Sequence, residues 1–158
     1  MYKVNFDSRN WIKSNESKTL AVFGSRSLRD ERVEILILNY IQKNNITKII
    51  TCQEPEGVSE VAQKLCKKYA YPLQVHFLNM QYLRGAFEQR SKEIIHEADE
   101  FIVIHDGESR GTANELNLVK KSGKPYTYEI LEKTNYKRSV GFNIQDEWGE
   151  TINDDWFE

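Results

Sequence analysis

Two polar residues stand where the helical spacing of their neighbours calls for apolar ones. Phe87, Ile94, Ile95 and Ala98 mark one stripe of a helix, and the positions three and four after Phe87 are Arg90 and Ser91. A guanidinium is thereby pointed inward, where an unpaired charge is costly. Arg90 therefore pairs with a carboxylate, snorkels to the rim, or faces a cavity that holds an anion. Thr112, Glu115 and Val119 repeat the anomaly at spacings of three and four, so Glu115 falls between a loop-facing Thr and a core-facing Val. Glu115 reads either as a carboxyl at the mouth of a cleft or as a solvated acid favouring the helix dipole. Together, an inward arginine and a carboxyl at one cleft could orient an anionic substrate and move a proton.

Two loops have the composition of anion sites. In Asp106-Gly107-Glu108-Ser109-Arg110-Gly111-Thr112, Gly107 and Gly111 permit close backbone approach, Ser109 and Thr112 supply hydroxyls, and a helix start supplies amides. Gly24-Ser25-Arg26 offers further amides, a hydroxyl and a planar bidentate donor. Read singly, either loop is also an ordinary turn. The chain has neither G-x-G-x-x-G nor G-x-x-x-x-G-K-[ST], which excludes a standard dinucleotide fingerprint and a P-loop.

The elements that must position these residues alternate along residues 19–131. A strand over 19–23 precedes a helix with Val33, Leu36, Ile37, Tyr40 and Ile41 on one face and Asp30 as N-cap. A second strand over 46–51 leads to a helix carrying Val58, Val61, Ala62, Leu65 and Tyr69. A third strand over 73–78, a polar loop and a helix over 87–98 follow. Phe101-Ile102-Val103-Ile104, apolar at every position, predicts a strand covered on both faces at the sheet centre. A helix over 112–122, stopped by Gly123 and Pro125, precedes a last strand over 126–131. The pattern predicts an α/β, doubly wound, mostly parallel five-stranded Rossmann-like sheet with helices on both faces, in the order 3-2-1-4-5. Residues 24–26 and 106–112 would then meet at its topological switch point, where such sheets bind ligands.

Composition bounds the partners. The 158 residues, 39% hydrophobic and 29% charged, fit one globular domain, and no apolar run reaches the roughly 20 residues of a membrane span. The first residues lack the pattern of a secretory leader, so the expected address is the cytoplasm. The formal net charge of −2 offers no global attraction to nucleic acid. Residues 132–158 carry three basic and seven acidic residues, leaving 1–131 at +2. Residues 1–18 form a polar N-terminal extension, and 132–158 an acidic tail with Phe142, Ile144, Trp148, Trp156 and Phe157. Cys52 and Cys66 lack zinc spacing and read as reduced thiols. His76, His96 and His105 show no ligand pattern, so no metal or cofactor is expected.

The strand ending in Gly24-Ser25-Arg26, the Arg-bearing helix ending in Glu97-Ala98-Asp99, and the D-G-x-S-x-G-T run at 106–112 resemble the SLOG superfamily of Rossmann-like nucleotide-ligand-binding proteins. The resemblance covers residues 19–131 and is nearest to stand-alone SLOG proteins. More distantly, the chain is similar to the Lonely Guy phosphoribohydrolases, which cleave the N-glycosidic bond of nucleoside 5′-monophosphates. Arg90 stands nine residues before Asp99, and Gly111-Thr112-Ala113-Asn114-Glu115 matches G-T-x-x-E, which implies Arg90 and Glu115 as the catalytic positions. The pattern differs at Glu108 and Ser109, where those enzymes have a glycine-rich loop, and at Ser91 in place of lysine. The loop Cys52-Gln53-Glu54-Pro55-Glu56-Gly57-Val58-Ser59 has lost most of the relatives' glycines and gained two acids, which should weaken anion binding at that edge.

The expectation is a protein that binds a nucleotide-derived small molecule through Gly24, Ser25, Arg26, Gly107, Ser109, Arg110, Gly111 and Thr112. The alternative is a phosphoribohydrolase in which Arg90 orients the nucleotide and Glu115 stabilises the sugar cation or activates water. Single-strand nucleic-acid binding wants a basic groove with interleaved aromatics, whereas the most aromatic segment here is acidic. The resemblance further implies a homodimer or higher oligomer.

Overall fold

The computed structural model describes residues 17–133. Five parallel strands, β1 (Thr19–Gly24), β2 (Lys48–Cys52), β3 (Leu73–His76), β4 (Glu100–His105) and β5 (Tyr126–Ile130), form one sheet in the order β3-β2-β1-β4-β5. The helices α1 (Glu31–Asn44), α2 (Val58–Lys68), α3 (Ala86–Glu97) and α4 (Arg110–Ser122) connect them. The fold is the expected doubly wound, Rossmann-like α/β arrangement, and every strand pair is parallel.

Alternation along each strand divides the core between two faces. Leu20, Val22, Ile49, Ile102 and Ile104 pack with Val33, Ile37 and Ile41 of α1 and Val58, Ala62 and Leu65 of α2. Ala21, Phe23, Ile50, Phe101 and Val103 pack with Ile94 and Ile95 of α3 and Leu116 and Val119 of α4. β4 is buried along its whole length, as its unbroken apolar run requires. Each of Phe101, Ile102, Val103 and Ile104 is at most 1% exposed, worth about 1.5–3 kcal/mol apiece relative to exposure. β1 rather than β4 takes the central place, and β4 is its neighbour.

Local chemistry sets the boundaries. Asp30 caps α1 by accepting a hydrogen bond from the Arg32 amide at 3.1 Å. Gly123, at φ +77°, ends α4 in the left-handed conformation. α4 begins two residues earlier than its apolar spacing predicts, because Ser109 is the extended residue that precedes the first turn. β2 starts at Lys48 rather than residue 46, since the Ile46 amide still bonds the Ile41 carbonyl at the exit of α1. β3 stops at His76, leaving Phe77 66% exposed, and Tyr69 lies past the end of α2, half exposed rather than on its buried face. The loop after β3 holds a 3-10 segment, Met80–Gly85, started by the Asn79 side chain accepting from the Gln81 amide.

The connection from β2 to α2 passes close beneath β1. At Gly57, φ is +92° and a β-carbon would stand 2.4 Å from the Arg26 Cα. Gly57→Ala is therefore expected to cost at least about 2 kcal/mol, through left-handed strain combined with overpacking. Urea unfolding checks this, with an unchanged midpoint as the contrary result.

Candidate functional site

The pairing of β1 with β4 runs from Leu20 opposite Glu100 to Gly24 opposite Ile104. It brings Gly24-Ser25-Arg26 beside the loop that follows β4. The Ser25 amide donates to the Ile104 carbonyl at 3.0 Å, and the Asp106 amide donates to Ser25 Oγ at 3.0 Å. Ser25 Oγ also lies 3.1 Å from Thr112 Oγ1, which ties β1 to the start of α4. A cleft of about 420 Å³, its open mouth included, lies over these strand ends, lined by Gly24, Arg26, Cys52, Glu54, Ser59, Phe87, Ser109, Gly111, Thr112 and Glu115.

Six of the residues singled out by sequence line this cleft: Gly24, Arg26, Ser109, Gly111, Thr112 and Glu115. Ser25 lies beneath it, 1% exposed. Arg90 stands behind the wall and reaches the cleft through Glu54. Gly107 and Arg110 are exposed and lie outside the lining. Cys52, Glu54, Ser59 and Phe87 complete the lining without having been singled out as site residues.

Arg90 is an ion-paired buried guanidinium. Its Nη2 donates to Glu54 Oε2 at 2.6 Å and its Nη1 to the Gln53 carbonyl at 3.2 Å, while Nε, also buried, has no acceptor among the described residues. The other oxygen of Glu54, Oε1, accepts from Arg26 Nη2. One carboxylate thus bridges the cleft's two guanidinium groups. The second acid of this loop, Glu56, pairs with Arg29 at 2.6 Å.

The loop after β4 is likewise satisfied from within. Asp106 Oδ1 accepts from the amides of Glu108 and Ser109, each at 2.8 Å, and Oδ2 accepts from Ser27 Oγ at 2.6 Å. Burial works to raise the Asp106 carboxyl, but the Ser27 hydroxyl and these two amides outweigh it and hold the group below its usual range. From below, His105 Nε2 donates to the Ser109 carbonyl at 2.9 Å, and Nδ1 shares a hydrogen bond with Tyr128 Oη at 2.7 Å. These two bonds hold the imidazole ring and the position of Ser109. Among the described residues, the amides of Gly111 and Thr112 in the first turn of α4 have no acceptor.

Glu115 lies in the second turn of α4, 6% exposed, so it is not a solvated helix-start acid. Among the described residues its carboxyl makes no hydrogen bond, although it borders the cleft. Burial pushes it up to about 8, against the pull of Arg90 and Arg26 and with the push of Glu54. The direction favours the protonated carboxyl, a form able to donate a hydrogen bond. Burial likewise pushes the Cys52 thiol up, so the sulfur facing the cleft is a protonated thiol rather than a nucleophile. Among the described residues no group of His, Cys, Asp or Glu side chains is arranged to hold a metal ion, and no helix is long and apolar enough to cross a membrane.

No family model, curated protein or solved structure matches this chain. Fold and cleft together define a Rossmann-like α/β protein whose candidate site is the β1/β4 switch point.

The raised Glu115 carboxyl ties stability to pH. The folded state keeps its proton up to about pH 8, whereas the unfolded chain releases it near 4.5, so stability falls as pH rises between these values. The predicted loss is on the order of a few kcal/mol across that window. Glu115→Gln should flatten this slope in urea titrations and leave the variant the more stable protein at neutral pH; a slope unchanged in Glu115→Gln would refute the assignment.

Proposed function

We propose that this protein binds a nucleotide-derived small molecule in the cleft at the carboxyl ends of β1 and β4. The observation that carries the proposal is Glu115: a carboxyl more than nine-tenths buried, without a hydrogen-bond partner among the described residues, bordering an open cleft. Such a group costs stability, and a ligand that accepts its proton offsets that cost. The unoccupied amides of Gly111 and Thr112 lie beside it and suit oxygen acceptors on the same ligand. Phe87 supplies an apolar wall suited to a base, and the Glu54 carboxylate retains lone pairs that accept from sugar hydroxyls. The mixture of donors, acceptors and one aromatic ring fits a nucleoside unit better than a simple inorganic ion.

Calorimetric titration of the intact protein with mononucleotides, cyclic nucleotides and ADP-ribose should give saturable binding by at least one. That binding should weaken about tenfold in Glu115→Leu, which keeps the bulk of the side chain and removes the donor, a contact worth about 1 to 2 kcal/mol. Heatless titrations throughout would overturn the proposal.

One observation favours a second function, hydrolysis of an N-glycosidic bond. Burial favours the protonated form of Glu115 despite the opposing pull of Arg90, and a general acid toward a departing base must carry a proton. Cleavage would need a water-derived hydroxyl on the anomeric carbon, with the Glu115 proton leaving on the base. The binding function predicts no free base when AMP is incubated with the protein and followed by chromatography. Base release that stops in Glu115→Gln would establish the hydrolase instead.

A further inference from the structure

Two places at the carboxyl end of the sheet that would hold a phosphate, one lining the cleft and one beside it, are already filled by carboxylates of the protein. Glu54 spans Arg26 and Arg90, and Asp106 takes the amides of Glu108 and Ser109. These two arrangements belong to separate loops, one following β2 and one following β4. Their side chains are enclosed: Glu54 is 14% exposed and Asp106 1%. Neither carboxylate is a loose surface group that a ligand sweeps aside.

The charges facing the cleft then set what fits. Arg26 at the lining and Arg90 behind it bring two positive charges and Glu54 returns one negative charge, while burial disfavours any charge on Glu115. One positive charge is left, together with the uncharged amides of Gly111 and Thr112. A terminal phosphate with two negative charges that approached these guanidinium groups would share them with the Glu54 carboxylate in a poorly solvated site, where like charges repel most strongly. A phosphodiester brings one negative charge and two ester oxygens, and leaves Glu54 in place. Resting on the proposal that the cleft takes a nucleotide-derived molecule, we infer that its ligand is a singly charged phosphodiester, with Glu54 as the residue that excludes doubly charged terminal phosphates.

The selection can be read without any nucleoside. Arginine Nε–H NMR signals of the intact protein are titrated at about pH 7.5 with dimethyl phosphate, a monoanion, and with methyl phosphate, which is doubly ionised there. The expected result is a response of the Arg26 and Arg90 signals to dimethyl phosphate at a concentration at least tenfold lower than to methyl phosphate. Glu54→Gln, which leaves both guanidinium groups uncompensated, should reverse the preference by tenfold or more, while Glu54→Asp keeps it. Because Glu54→Gln removes the partner of a buried arginine, its amide spectrum is checked first. If it is unfolded, Arg26→Gln serves, and its loss of one positive charge should abolish the dimethyl phosphate response.

Equal response of the wild-type protein to both esters, or no response to dimethyl phosphate, overturns the inference. So does a folded Glu54→Gln with an unchanged preference. A companion titration with AMP and 3′,5′-cyclic AMP separates the two levels. If neither nucleotide binds while the ester preference stands, the nucleotide assignment fails and the charge selection holds. If AMP binds more tightly than the cyclic diester, the nucleotide assignment holds and the charge selection fails.

Discussion

The carboxyl end of the sheet is organised around a guanidinium that has almost no access to water. Arg90 is 3% exposed, on the helix face that packs against β1 and β2, and stripping such a charge of water costs several kcal/mol unless hydrogen bonds return it. Glu54 and the Gln53 carbonyl supply them, which fixes the path of the β2–α2 loop. That path carries the chain to Gly57, whose carbonyl starts α2 and whose lack of a side chain lets the loop pass under Arg26. The same Glu54 then holds Arg26 at the end of β1. Removing the Glu54 charge would therefore disturb three elements at once, unlike loss of an exposed ion pair such as Lys92–Glu88, worth a few tenths of a kcal/mol.

Much of this was legible where sequence spacing conflicts with burial. β4 announces itself because four successive apolar residues suit only a strand covered on both faces. Arg90 announces itself because it interrupts a stripe of period 3.6 that resumes at Ile94. The strand order follows from right-handed crossovers once the alternation of elements is recognised, and it brings residues 24–26 to residues 106–112.

Other features depend on contacts between segments that carry no periodic signal. Glu54 is one of two acids in the five-residue loop between β2 and α2, and nothing in its neighbours shows that it meets arginines 28 and 36 positions away while Glu56 meets a different one. Asp106 heads a glycine-containing turn that looks open to an anion. Its own side chain folds back onto the amides, an Asx-type closure that spacing cannot distinguish from an empty nest. Glu115 was ambiguous because helix-start acids are common. The start of α4 at Arg110 moves it into the second turn, where burial rather than the helix dipole governs it.

The two internal carboxylates bear on how any occupant competes. A side chain tethered to its own loop presents itself at an effective concentration in the millimolar range or above, so a free anion of equal strength displaces it only at comparable concentration. Displacement is harder still for Glu54, because its departure strands a buried Arg90 that already has one unsatisfied nitrogen. Coexistence is the less costly route: the ligand uses the groups left over, namely the Gly111 and Thr112 amides, the neutral Glu115 carboxyl and the remaining lone pairs of Glu54. Those groups are mostly uncharged and directional. Affinity in such a site comes from the number of hydrogen bonds matched in a small enclosed volume, and specificity from the cost of leaving any one of them unpaired.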